Sequence, residues 1–127
     1  MTSFVRIAAL AAGLLCAAAH AQPFPSKALR IVVPWPPGGV TDVLTRTVAA
    51  QLAESLGQQV VVENRPGAGG TIGVGAVAKA PADGYTLVMT DVPSHAISAS
   101  LYSKLPYDPE KDPEAIAMAA GAPMLLA

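Results

Sequence analysis

The stretch Leu29-Arg30-Ile31-Val32-Val33-Pro34-Trp35-Pro36-Pro37-Gly38-Gly39-Val40-Thr41-Asp42 decides how this chain is read. Its β-branched first half predicts a strand, and the segment Pro34 to Gly39 ends it. No regular helix runs through Pro34, Pro36 and Pro37. Behind this turn Val40, Leu44, Val48, Leu52 and Leu56 recur every four residues, with Val43 beside them, which predicts an amphipathic helix. Thr41 or Asp42 is placed to cap its start, and Gly57 sits where a C-terminal glycine belongs.

The alternation continues downstream. Gln59 to Glu63 predicts a second strand, followed by the glycine-rich loop Asn64-Arg65-Pro66-Gly67-Ala68-Gly69-Gly70. Thr71 to Ala80 is apolar enough for a second helix, in which Gly73 and Gly75 point to close packing against a neighbour. Pro81 to Gly84 is a turn, and Tyr85 to Thr90 predicts a third strand. Strand, helix, strand, helix, strand with apolar strands implies an α/β fold, a parallel sheet with helices on both faces. Beyond it, Asp91 to Pro113 reads mostly as loop, with a short helix near Ala96–Leu101 and an acidic, solvated stretch from Asp108 to Glu114. Ala115 to Ala120 and Met124 to Ala127 read as short strands.

Composition narrows the function. Of the 127 residues 52% are hydrophobic and only 13% charged, which excludes a disordered tail. A net charge of −1 and few aromatics leave no basis for nucleic-acid binding. Residues 1–21, MTSFVRIAALAAGLLCAAAHA, carry a positive start at Arg6, an apolar run from Ile7 to Ala19 and an A-x-A signal before Gln22, and are expected to be a signal peptide. The run is shorter than the roughly 20 residues a membrane span needs. Cys16 follows Leu15 rather than the small residue that a lipoprotein signal requires. Cleavage after Ala21 leaves residues 22–127 without cysteine, and so without disulfide, thiol or cysteine–metal chemistry.

Three segments can carry chemistry, and in a parallel sheet all three lie at the carboxyl edge, where ligands of open α/β folds bind. Pro36-Pro37-Gly38-Gly39-Val40-Thr41-Asp42 joins a strand to a helix whose positive dipole end suits a carboxylate or phosphate; it also reads as a plain tight turn. Pro66-Gly67-Ala68-Gly69-Gly70-Thr71 has the same physics. Neither is a P-loop, and the dinucleotide pattern fails at Ile72, so no cofactor is expected. No cluster has metal-ligand spacing. After the third strand, Ser94 and His95 can donate hydrogen bonds to a ligand. Their use as a nucleophile and base is disfavoured, because adjacent residues cannot easily pair and no G-x-S-x-G elbow is present. Arg65 reads either as a carboxylate clamp or, preferably, as a surface arginine paired with Glu63 or another exposed acid. Trp35 either lines the pocket or packs beside the proline turn, and Asp42 braces the loop or caps the helix.

The runs Ile31-Val32-Val33-Pro34-Trp35-Pro36-Pro37-Gly38-Gly39 with Asp42, and Val60-Val61-Val62-Glu63-Asn64-Arg65-Pro66-Gly67-Ala68-Gly69-Gly70, closely resemble the Bug (TctC-type) extracytoplasmic receptors of tripartite tricarboxylate transporters. Pro25-Ser26-Lys27, Asp83-Gly84-Tyr85-Thr86-Leu87 and Leu101-Tyr102 through Leu105-Pro106-Tyr107-Asp108-Pro109 extend the resemblance over residues 23–112. Pro113 and Ala115 depart from it. The resemblance implies a periplasmic binding protein fold of two hinged α/β domains, of which residues 22–127 make up most of the first lobe only, the second domain being missing. It implies capture of a small carboxylate held largely by loop backbone groups and ordered water, with Pro37, Gly38, Gly39, Gly69, Gly70 and Thr71 lining the cleft and Ser94 and His95 nearby. It further implies delivery to a membrane permease of the transporter, a periplasmic location, a monomer when full length and no enzymatic activity. The alternatives are a non-functional truncated receptor and a secreted hydrolase using Ser94 and His95. One wall of a cleft is expected to bind weakly or not at all by itself.

Overall fold

The protein is described by a computed structural model covering residues 23–121. The expected signal peptide, Cys16 and the strand expected at Met124 to Ala127 lie outside these residues. Strand β1 (Leu29–Val33) leads into helix α1 (Val40–Leu56), strand β2 (Val60–Asn64), a 3-10 turn (Ala68–Gly70), helix α2 (Thr71–Ala78), strand β3 (Thr86–Val88) and helix α3 (Val92–Leu101). The strands form one parallel sheet in the order β2-β1-β3, with Ile31 opposite Val62 on one side and Leu87 on the other.

The centre of the sheet follows from β1. Leu29, Ile31 and Val33 face one side and Val32 the other, yet all four are buried, so both faces are covered. Val48 and Leu52 of α1 border the same apolar recess as Ile31. On the opposite face α2 packs against Pro34: a methyl added to Gly73 would stand 2.8 Å from Pro34 Cβ and 2.9 Å from the Arg65 carbonyl oxygen. The first crossover runs from β1 to β2 and the second from β2 back past β1 to β3, which puts a topological switch point between the carboxyl ends of β1 and β3.

Details of the expectation are corrected. Residues four apart advance about 40° around a helix, so a stripe from Val40 to Leu56 spirals through about 160° and cannot stay on one face. The buried line of α1 is instead Asp42, Thr45 and Ala49, while Val40 is 84% exposed and Val43 is also exposed. Neither Thr41 nor Asp42 is the N-cap; that position is Gly39, and Gly57 ends the helix in the left-handed conformation as expected. α3 starts at Val92 rather than near Ala96, because Asp91 caps it by accepting from Ser94 N at 3.1 Å and Pro93 suits its first turn. Ala115 to Ala120 forms no strand. Ile116, Ala117 and Ala119 line an apolar recess of about 220 Å³ against Ile31, Leu87 and Met89, without joining the ladder.

The amino end of the sheet is tied by the Pro25-Ser26-Lys27 and Asp83-Gly84-Tyr85 motifs. Ser26 N donates to Tyr85 Oη at 2.8 Å, and Lys27 Nζ pairs with Asp83 at 3.0 Å while standing 4.3 Å from the Tyr85 ring centre. These motif residues therefore lie at the edge opposite the glycine turns.

Candidate functional site

Parallel strands lie about 4.8 Å apart, so the loops leaving β2, β1 and β3 share one edge about 10 Å wide. Helices α1, α2 and α3 all begin there, and each points its positive dipole end towards it.

In the first turn the backbone donors divide into two sets. Gly38 N donates to Asp42 Oδ2 at 2.9 Å, and its positive φ of 87° suits a residue without Cβ. Gly39 closes the turn that begins at Pro36, while the N–H groups of Val40 and Thr41 have no acceptor among the described residues, as befits the first turn of a helix without a side-chain cap. Pro37 has no N–H to offer. Asp42 itself is 3% exposed and accepts from Arg46 Nε at 3.1 Å, from Gly38 N and from Asn64 Nδ2 at 2.9 Å. Arg46 foremost, then Gly38 and Asn64, hold its carboxyl at a pKa of about 2. Its charge is thus consumed within the protein, which resolves Asp42 as a brace rather than a group facing a ligand.

The second turn is built alike. Gly70 N donates to the Gly67 carbonyl at 3.0 Å, and Thr71 Oγ1 donates to the Ala68 carbonyl at 2.9 Å. Gly70 and Thr71 are buried and shape the turn, whereas Gly69 is exposed. The Trp35 ring lies on Gly70, where an added methyl would stand 3.5 Å from Cζ2. On the other side Tyr102 reaches Gly69, its hydroxyl 3.2 Å from the position a Cβ would take. The sequence reading singled out Tyr102 only as part of a motif. The helix ends at Leu101 as expected, but that Tyr102 reaches Gly69 depends on α3 lying against the 3-10 turn, which no local pattern reveals.

At the third segment Ser94 is half-buried at the start of α3, and its carbonyl accepts from Ser98 Oγ at 2.7 Å. His95 stacks on Tyr107, with ring centres 6.1 Å apart and planes at 14°, and its Nε2 lies 3.2 Å from the Pro109 carbonyl oxygen. His95 Nδ1 is buried and has no partner among the described residues. His95 thus joins α3 to the 107–109 segment, while the first two turns lie together at the sheet edge. Arg65 Nε donates to Glu63 Oε1 at 2.6 Å, the preferred of its two readings. A second recess, about 310 Å³ beside α1 and β2, is lined by Arg46, Ala49, Ala53 and Val62 and by no residue of the two glycine turns. Among the described residues no three His, Cys, Asp or Glu side chains could share a metal ion, and no helix is long and apolar enough to cross a membrane.

Comparison with known proteins defines the class. Residues 44–127 match the profile of the tripartite tricarboxylate transporter family receptor, TctC. Protein BugT of Bordetella pertussis is 42% identical over 113 residues, which is 88% of this chain and 35% of BugT. MatC of Rhodopseudomonas palustris, solved with bound malate, superposes with a TM-score of 0.66 at 42% identity, covering 70% of this chain and 30% of MatC. An R. palustris protein solved with adipate gives 0.65 at 42% identity over 68% and 29% of the two chains, and the periplasmic binding protein BugD gives 0.64 at 41% identity over 68% and 28%. The chain belongs to the TctC receptor family and has the α/β fold of part of a periplasmic binding protein. It spans about a third of the length of the relatives it matches.

Proposed function

We propose that this chain is the ligand-gripping wall of an extracytoplasmic receptor that captures a small carboxylate for a tripartite transporter. The observation that carries this reading is the open pair of Val40 and Thr41 N–H groups at the start of α1, beside the exposed Gly69 turn. Such donors at a helix dipole recognise a carboxylate without a basic side chain. Malate and adipate in two structural relatives agree with that chemistry. Residues 1–21 act as the export signal, residues 22–127 as receptor lobe, and the handover partner is a membrane permease. Binding rather than catalysis fits the site: Ser94 and His95 are neighbours on one helix, and His95 Nε2 is engaged with Pro109. Pro37 and Gly38 serve as the stiff frame of the first turn, and Gly70 and Thr71 as that of the second.

Calorimetric titration of the purified chain with malate, adipate and their diamides tests this. Weak binding of the dicarboxylates and none of the diamides is expected, because a single open wall leaves much of the ligand in water. Equal binding of acids and diamides would overturn the reading.

A further inference from the structure

The ladder between β1 and β2 ends where Arg65 N donates to the Val33 carbonyl at 2.8 Å. Beyond it, no backbone hydrogen bond among the described residues joins Trp35–Gly39 to Pro66–Thr71. The side chain of Asn64 stands at this point. Its Nδ2 donates to the Trp35 carbonyl at 3.1 Å and to Asp42 Oδ1 at 2.9 Å, and its Oδ1 accepts from Arg46 Nη2 at 3.1 Å. The opposite amide orientation would set oxygen against a carbonyl and a carboxylate, and nitrogen against a guanidinium, so the chemistry admits one orientation. Trp35 carries the link onward, since its ring lies on Gly70.

We propose that Asn64 is a positioning residue of the carboxylate site: its amide fixes the spacing between the two glycine turns by holding Trp35 and Asp42 together. Its consequence for ligand affinity rests on the carboxylate-binding reading above; its consequence for Trp35 does not. Asn64 acts through its neighbours. Asp42 orients Gly38 and thereby the start of α1, while Trp35 seats Gly70. An aliphatic residue could fill the space but could not satisfy the Trp35 carbonyl and the buried Asp42 carboxylate together.

Trp35 is the single tryptophan of the sequence, so its fluorescence reports on this link alone. In Asn64→Ala, quenching of Trp35 by neutral acrylamide is expected to rise while the far-ultraviolet circular dichroism stays unchanged. Malate affinity is expected to fall about tenfold, because the two turns lose their fixed spacing and must be ordered on binding. In the unaltered chain, whether or not the variant folds, the Asn64 side-chain amide protons are expected to exchange with water more slowly than those of a solvent-exposed asparagine. Unchanged Trp35 quenching in a folded Asn64→Ala, or solvent-like exchange of the Asn64 amide in the unaltered chain, overturns the proposal. Raised quenching in Asn64→Ala, in a protein that binds no dicarboxylate at all, upholds the link and defeats the carboxylate reading instead.

Discussion

The backbone N–H of Gly38 donates to the buried carboxylate of Asp42 at 2.9 Å, so this glycine spends its donor inside the protein. What the first turn offers a guest is therefore the N–H groups of Val40 and Thr41, which the Asp42 bond helps to orient.

That bond makes the turn sensitive to acid. The pKa of Asp42 is lowered to about 2 by Arg46, Gly38 and Asn64, from an ordinary value of 3.8. A depressed carboxyl contributes stability that is fully present above its unfolded value and is lost as pH falls through the folded one. Thermal stability is expected to fall as pH drops from about 4 towards 2, and Asp42→Asn is expected to flatten that part of the profile. Melting curves across this window, compared between the two proteins, check it.

Val40 allows the donor row to be tested without disturbing the fold. It is the first residue of α1, 84% exposed, and follows Gly39 in an extended conformation (φ −76°, ψ 168°). Proline is favoured at that position and accepts such a predecessor. Val40→Pro removes one N–H and is expected to weaken dicarboxylate binding about tenfold, with little change in melting temperature. Paired calorimetry and melting curves check both halves.

Gly73 sets the contact between α2 and the sheet. A methyl there meets Pro34 Cβ at 2.8 Å and the Arg65 carbonyl oxygen at 2.9 Å, and backbone cannot yield as a flexible side chain can. Gly73→Ala is expected to destabilise the protein by about 1–3 kcal/mol, the usual cost of overpacking. Urea denaturation is the measurement.

His95 separates a packing role from a ligand role. His95→Phe keeps a ring against Tyr107 and loses the bond to Pro109. Malate affinity is expected to stay unchanged while melting temperature falls. A loss of affinity at unchanged stability would return His95 to the ligand site.

Much of the fold is legible in the sequence because apolar runs and punctuating glycines act locally. Apart from Arg30, Leu29–Val33 places apolar residues on both faces, as suits a central parallel strand, and Gly57 ends α1 where its left-handed conformation is needed. Helix faces were less legible: the four-residue recurrence beginning at Val40 drifts around the axis, and the actual buried line includes Asp42 and Thr45, two polar residues that composition places outside. Asn64 could not be recognised as a link, because its partners Trp35 and Asp42 lie 29 and 22 residues away and only the parallel register brings them together. Ala115 to Ala120 is apolar enough for a strand, but apolarity alone supplies no ladder partner, and the segment lies along the recess instead.

The central claim is that a carboxylate is held by the N–H groups opening α1. Titrating ¹⁵N-labelled protein with malate while following every backbone amide tests it most directly. Saturable shifts of Val40, Thr41 and Gly69 are expected, with Gly38 moving less because its N–H is bonded to Asp42. Shifts confined to the recess lined by Arg46, Ala49 and Val62, with the Val40 and Thr41 amides unmoved, would contradict the claim.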